Sequence, residues 1–145
     1  MPREYPSQPI AAVGVVVLNG NDVLLIQRGK PPKEKEWSLP GGAQELGETL
    51  HDTARREVLE ETGLEITVSG LVDVVDFIEK DANQKVSFHY SLIDFWAEST
   101  SRSLIPGDDA ASAQWVAHDR IDDIGLWRET TRVIHQAFAM RDKRT

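Results

Sequence analysis

The sequence predicts a single α/β domain in which a mixed β-sheet lies between helices. Three observations support this prediction: strand-like segments precede and follow one strongly helical segment, a second helical segment closes the chain, and the first strands are apolar almost throughout. A strand that is apolar on both faces is covered on both faces, so helices are expected on each side of the sheet. The 145 residues, of which 40% are hydrophobic, suffice for one core and are too few for two domains.

The composition narrows the classes of function. The formal net charge is −8 and no dense stripe of Lys and Arg is present, which argues against binding of a nucleic-acid backbone. The chain has no cysteine, which excludes disulfides and thiolate zinc sites. Residues 1–9 lack the apolar core of a signal peptide, and the longest aliphatic run, residues 10–18, is far shorter than a membrane-spanning helix. We therefore expect a cytoplasmic protein that binds neither nucleic acid nor membrane.

The N-terminal part of the chain predicts a hairpin. Residues 1–9 carry three prolines and are expected to form an extended arm, followed by a domain over residues 10–140 and a polar tail over residues 141–145. The segments 10–18 and 22–28 are rich in aliphatic residues, and Asn-Gly-Asn between them is a turn signal. A polar loop follows and ends at a tryptophan.

The C-terminal half predicts a second hairpin and a closing helix. Residues 66–78 and 85–96 have strand-like composition, and the polar segment between them is expected to turn. A loop over residues 99–113 leads into a short strand at residues 114–116. Residues 126–140 have apolar side chains at helical spacing, which predicts a helix packed on the sheet.

The segment 50–61 predicts the helix that carries the candidate site. Thr49 is a suitable N-cap, and no Gly or Pro interrupts the segment. Gly63 stands where a left-handed C-cap residue belongs. These three signals define a helix of about three turns.

The acidic residues of this helix predict a metal site. At about 100° per residue, Glu57 and Glu61 share its apolar face and Glu60 lies at the edge of that face. Burial brings these like charges together, and a divalent cation would resolve the conflict. Oxygen ligands of this kind suit Mg²⁺ or Mn²⁺. For the helix alone, a solvated face whose glutamates pair with Arg55 and Arg56 remains the alternative.

The stretch over residues 42–64 resembles the Nudix box. The family pattern is Gly, five residues, Glu, seven residues, Arg-Glu, an aliphatic residue, any residue, Glu-Glu, any residue, Gly and an aliphatic residue. Every fixed position is matched here, by Gly42, Glu48, Arg56, Glu57, Val58, Glu60, Glu61, Gly63 and Leu64. The resemblance implies the Nudix-type α/β/α sandwich and a metal-dependent enzyme that cleaves a pyrophosphate bond in a nucleoside diphosphate derivative.

The same resemblance implies a ligand set for the metal. It consists of the carboxylates of Glu57, Glu60 and Glu61 and the carbonyl of Gly41, with Mg²⁺ as the cofactor or Mn²⁺ in its place. Arg56, which we count among the catalytic residues, would pair with the glutamate at position 48 and orient these carboxylates rather than react itself.

The proton acceptor varies within the family, so two candidates stay open. One is Glu57, and the other is Asp109 in the loop before the short strand, with Asp108 as its alternative. A positioned carboxylate in either place would take the proton of the attacking water.

The substrate is less constrained by the sequence. Arg28 and Trp37 are the candidate substrate-binding residues. The runs 107–111 and 90–96 look like those of small ADP-ribose pyrophosphatase-type members, so ADP-ribose or a related sugar nucleotide is favoured. A hydrolase of damaged nucleoside triphosphates and a Nudix-like module that senses a nucleotide without cleaving it are the alternatives. A homodimer is compatible with the sequence.

Overall fold

The computed structural model describes residues 2–29, 36–105, 107 and 110–144. These residues form seven strands, two α-helices and one 3₁₀ helix. The strands are β1 (Ile10–Asn19), β2 (Asp22–Arg28), β3 (Trp37–Ser38), β4 (Gly41–Ala43), β5 (Val68–Lys80), β6 (Val86–Glu98) and β7 (Ala110–Ala117). The helices are α1 (Leu50–Thr62), α2 (Arg128–Lys143) and the 3₁₀ helix His118–Asp123. None of the described helices is long and apolar enough to cross a membrane.

Strand β1 lies at the centre of a mixed sheet. It runs parallel to β6, from Ile10 opposite Tyr90 to Leu18 opposite Glu98, and β6 pairs antiparallel with β5. On its other edge β1 pairs with β4 and, at its last two residues only, with β2. Strand β2 pairs with β3 and β7 instead. The sheet therefore splits between β1 and β2, and the chain crosses this split between β3 and β4.

The side chains of β1 alternate between two cores. Val16 and Leu18 pack in one core with Phe138 of α2, whereas Val15 packs in the other with Val58 of α1. Successive side chains of a strand point to opposite faces, so an unbroken aliphatic run fills both cores. The predicted arrangement, a mixed sheet between helices, is confirmed.

Both predicted hairpins are present, and β7 is longer than expected. The turn between β1 and β2 contains Gly20 with φ +59, as the turn signal predicted. The predicted loop over residues 99–113 is wrong at its end, because β7 begins at Ala110 and its first residues pair with β2. That pairing is with a strand far away in the sequence, which the local turn signals do not report.

Both ends of the described chain are attached to the domain. The predicted tail over residues 141–145 is wrong in part because α2 continues to Lys143, with Arg141 over the ring of a phenylalanine one turn earlier. In the N-terminal arm, the backbone N–H of Tyr5 donates to the carbonyl of Ser87 at 2.8 Å. The arm is therefore fixed along β6 rather than free.

Candidate active site

Helix α1 forms for the reasons that its sequence predicts. The hydroxyl of Thr49 accepts a hydrogen bond from the N–H of Asp52 at 3.1 Å, which caps the first turn. Gly63 has φ +79, and its N–H donates to the carbonyl of Leu59 at 2.9 Å. Near its C-terminal end the helix buries a carboxylate, because Glu61 is only 7% exposed.

Glu61 is held against the start of β4. The N–H of Gly41 donates to its Oε1 at 2.7 Å. Gly41 lies opposite Gly14 of β1, and a Cβ at position 41 would lie 1.9 Å from the carbonyl oxygen of Val13. Only glycine allows this close approach of two backbones, so the residue type at position 41 fixes the place of Glu61.

Glu57 is half-buried and lies directly over Gly42. A Cβ at Gly42 would fall 2.5 to 2.7 Å from the carboxyl atoms of Glu57. Burial raises the pKa of Glu57 above its ordinary value, against the opposing effect of Arg56, and Glu60 raises it further. The charge of Arg3 in the N-terminal arm also lowers this pKa. The glycine therefore provides the space in which a partly desolvated carboxylate lies.

Arg56 links the loop before α1 to the acidic residues of the helix. Its Nε and Nη2 donate to the two oxygens of Glu48 at 2.6 and 3.0 Å, the contact that the resemblance implied. Its Nη1 donates to Glu57 at 2.8 Å and to Glu60 at 3.3 Å, and Nη2 also reaches the carbonyl of Ala43. The hydrogen bond from Arg56 lowers the pKa of Glu48 to about 2. Glu48 is thus ionised and fixes the guanidinium beside the candidate ligands.

The donor set suits a divalent cation. Glu57, Glu60, Glu61 and the carbonyl of Gly41 offer only oxygen atoms, which Mg²⁺ and Mn²⁺ prefer. Among the described residues no three acidic or histidine side chains converge on one point, and Arg56 donates to both Glu57 and Glu60. Two members of the predicted ligand set, Glu57 and Glu60, thus share the guanidinium of Arg56, whereas Glu61 is bonded to the N–H of Gly41.

The candidate proton acceptors Asp108 and Asp109 lie outside the described residues. The residue before them is fixed, because the N–H of Gly107 donates to the carbonyl of Glu61 at 3.2 Å. A Cβ at Gly107 would lie 2.0 Å from the carbonyl oxygen of Glu60, so glycine is needed for this contact. The segment that leads into the aspartates is attached to the C-terminal end of α1, next to the acidic residues.

The two predicted substrate-binding residues lie on neighbouring strands. Arg28 ends β2, its N–H donates to the carbonyl of Glu36 at 3.0 Å, and it pairs with Ala110 after an irregularity in the register. Trp37 pairs with Gln27, and its half-buried side chain packs against the core beneath α2. Arg28 therefore lies beside the start of β7, whereas part of the Trp37 indole belongs to the core.

Two polar residues near the site were not singled out in the sequence. The hydroxyl of Thr53 donates to Glu48 at 3.0 Å and adds to the contacts that fix this carboxylate. Asp94 is 6% exposed, and burial raises its pKa to about 6. The signal for Asp94 was an acidic residue inside the otherwise apolar run over residues 92–97.

Comparison with known sequences identifies the family. A family model described as the NUDIX domain matches residues 8–138. An ADP-ribose pyrophosphatase of Methanocaldococcus jannaschii is 35% identical over 107 residues, which cover 74% of this chain and 61% of that protein. A Bacillus subtilis protein provisionally named an 8-oxo-dGTP diphosphatase is 31% identical over 109 residues, 74% of this chain and 66% of that protein. The matched part thus spans less than two thirds of the length of these relatives.

Solved structures have the same arrangement of sheet and helices. A MutT NUDIX hydrolase from Burkholderia pseudomallei superposes with a TM-score of 0.72 at 28% identity, over 90% of this chain and 98% of that chain. The NUDIX domain of Shewanella oneidensis NrtR, solved in complex with ADP ribose, shares the fold with a TM-score of 0.75 at 21% identity, over 97% and 91% of the two chains. The box residues lie around α1 and β4, and the family model matches most of the chain. The chain therefore belongs to the Nudix hydrolase family.

Proposed function

We propose that this protein hydrolyses a pyrophosphate bond in a nucleoside diphosphate derivative, with ADP-ribose or a related sugar nucleotide as the favoured substrate. The observation that carries the proposal is the complete acidic set, in which Arg56 holds Glu57 and Glu60 and the N–H of Gly41 holds Glu61. The 35% identical relative that is named an ADP-ribose pyrophosphatase supports the choice of substrate.

The site supplies what hydrolysis of a pyrophosphate requires. Negative charge on the phosphates must be neutralised, a water must be aligned with phosphorus, and its proton must be accepted. A bound Mg²⁺ or Mn²⁺ would neutralise charge and make the water more acidic. Glu57, Glu60, Glu61 and the carbonyl of Gly41 would hold the cation, while Arg56 keeps the carboxylates of two of these residues in place.

Two residues remain candidates for the proton acceptor. Glu57 is one of them if its carboxylate is not fully used by the cation. Asp109 is the other, and the attachment of Gly107 to the end of α1 supports its presence near the site. The two candidates predict different results, because Asp109→Asn lowers kcat strongly only if Asp109 is the acceptor.

A substrate panel tests the proposal. The panel contains ADP-ribose, other sugar nucleotides, dinucleoside polyphosphates and oxidised nucleoside triphosphates, each assayed with Mg²⁺ and with excess chelator. We expect ADP-ribose or a sugar nucleotide to give the highest kcat/KM, with AMP and ribose 5-phosphate as the products of ADP-ribose. Glu61→Gln is the matched control for contaminating activity. Turnover that persists in the chelator or in this variant would contradict the proposal.

A second candidate function is hydrolysis of damaged nucleoside triphosphates, which the 31% identical Bacillus subtilis relative supports. In that case oxidised triphosphates would be the best substrates, with pyrophosphate as a product. A sensing module would bind a nucleotide and hydrolyse none of the panel, and the complete acidic set argues against that role. The net charge of −8 supports a small nucleotide rather than nucleic acid as the partner. A cytoplasmic location and a homodimer stay predictions.

A further inference from the structure

Asp94 is a buried carboxylate that no described residue binds. It lies in the middle of β6, between Gly14 of β1 and Asp73 of β5, and it is 6% exposed. Within the described part of the chain, no group donates a hydrogen bond to its carboxylate. The small exposed part of Asp94 is its remaining access to solvent.

The described residues around Asp94 give its carboxylate no structural role. Burial of a carboxylate without a partner destabilises the folded state. The neighbouring Asp73 adds a like charge, and Arg132, which opposes it, already contacts Asp73 at 2.9 Å and Glu129 at 2.7 Å. An apolar residue at this position would therefore favour folding, which indicates that the carboxylate serves a ligand.

The backbone of Asp94 lies two strands away from Gly41, which belongs to the candidate active site. Asp94, Gly14 and Gly41 form one row across β6, β1 and β4, so about two strand spacings, roughly 10 Å, separate the first backbone from the third. Gly14 leaves the space that the carboxylate uses, since a Cβ there would lie 2.4 Å from Oδ1 of Asp94 and 3.6 Å from Leu39. By alternation Asp94 shares the α2 face of β6 with Leu92.

We propose that Asp94 contacts the substrate and accepts a hydrogen bond from an amino group of its nucleobase, an inference that rests on the proposed function. An ionised carboxylate only accepts hydrogen bonds, so it binds a donor and repels a phosphate. Leu39 lies next to Gly14, and Leu92 is two residues before Asp94 on the same face of β6. Their apolar surface suits a flat ring better than a charged group. Asp94 would thus determine which base is accepted, while the acidic residues of α1 act on the pyrophosphate.

The test compares ADP-ribose with the analogue that lacks the 6-amino group, in the wild type and in Asp94→Leu. A hydrogen bond to a charged acceptor corresponds to about 10- to 100-fold in kcat/KM, so we expect the wild type to prefer ADP-ribose by that factor. Asp94→Leu should reduce the preference below about threefold. Asp94→Asn keeps an accepting oxygen and should retain part of it. Calorimetric binding of AMP and of its analogue without the amino group should show the same pattern independently of turnover.

Two further measurements separate this role from a structural one. Asp94→Leu and Asp94→Asn should have a Tm at least equal to that of the wild type, because each removes a buried charge that no described residue binds. Gly14→Ala should weaken the preference while Asp94 is still present, because the added methyl displaces the carboxylate. Equal preference in the wild type and in both Asp94 variants would overturn the inference. If the wild type hydrolyses no nucleoside diphosphate derivative, the proposed function itself fails.

Discussion

Replacement of Gly42 by alanine tests whether β4 fixes the position of Glu57. A Cβ at this position would lie 2.5 Å from the carboxyl carbon of Glu57 and 2.6 and 2.7 Å from its oxygens. Two carbon atoms in contact are about 3.5 to 4 Å apart, so the carboxylate must move by about 1 Å. A misplacement of about 1 Å can cost about a hundredfold in rate. We therefore expect Gly42→Ala to lower kcat for ADP-ribose with Mg²⁺ about a hundredfold.

The fold should survive this replacement, because Gly42 is not in the left-handed region. Circular dichroism and thermal unfolding check the fold, and release of AMP measures the rate. Gly20→Ala is the matched control: φ is +59 there and no atom lies within 4 Å of the added Cβ. This control should lose roughly 1–2 kcal/mol of stability and keep its kcat. If Gly42→Ala is folded and keeps more than about a third of the wild-type kcat, the position of Glu57 does not depend on the glycine.

Three further predictions concern the cation, the proton acceptor and the stability of the fold at acidic pH. Glu61→Gln should lose most of kcat and also the stabilisation by Mg²⁺, which in the wild type amounts to roughly 2.7 kcal/mol at about 100 times the Kd. Thermal unfolding across a Mg²⁺ titration measures this stabilisation. Equal shifts of Tm in the wild type and the variant would contradict the ligand assignment. Asp109→Asn should lower kcat at least about a hundredfold with little change in Mg²⁺ affinity; losses below about threefold in both this variant and Asp108→Asn would return the role to Glu57. The pKa of Glu48 is lowered to about 2 in the folded state, so its stabilising contribution is present above the ordinary pKa of about 4.3 and is lost as the pH falls toward 2. Urea unfolding at several acidic pH values should show that the free energy of unfolding depends less on pH in Glu48→Gln than in the wild type. Identical pH profiles of the two proteins would refute this account.

Local signals in the sequence located most of the fold and the acidic part of the site. The limits of α1 follow from Thr49 and Gly63, whose roles depend only on neighbours within one helical turn. The two helix layers follow from the unbroken aliphatic run of β1, which has to be covered on both faces. In each case the residues that determine the structure belong to the same helix or strand that they define.

Features that depend on distant pairing were not predictable in this way. The early start of β7 at Ala110 results from its pairing with β2, more than 80 residues away. The burial of Asp94 depends on the missing side chain of Gly14, and the attachment of Gly107 depends on the last carbonyls of α1. None of these contacts leaves a periodic pattern in the sequence, so only the assembled sheet reveals them.

The parallel pairing of β1 with β6 has a consequence for how the protein folds. Ile10 pairs with Tyr90, and the same separation is kept to the last pair of this ladder. Contacts between such distant residues close a long loop before they gain any stability, which slows folding. The hairpin of β5 and β6 needs no such closure and should form first. During synthesis, β1 stays without its parallel neighbour until the chain has grown past Tyr90, so the row that joins Asp94 to Gly41 assembles late.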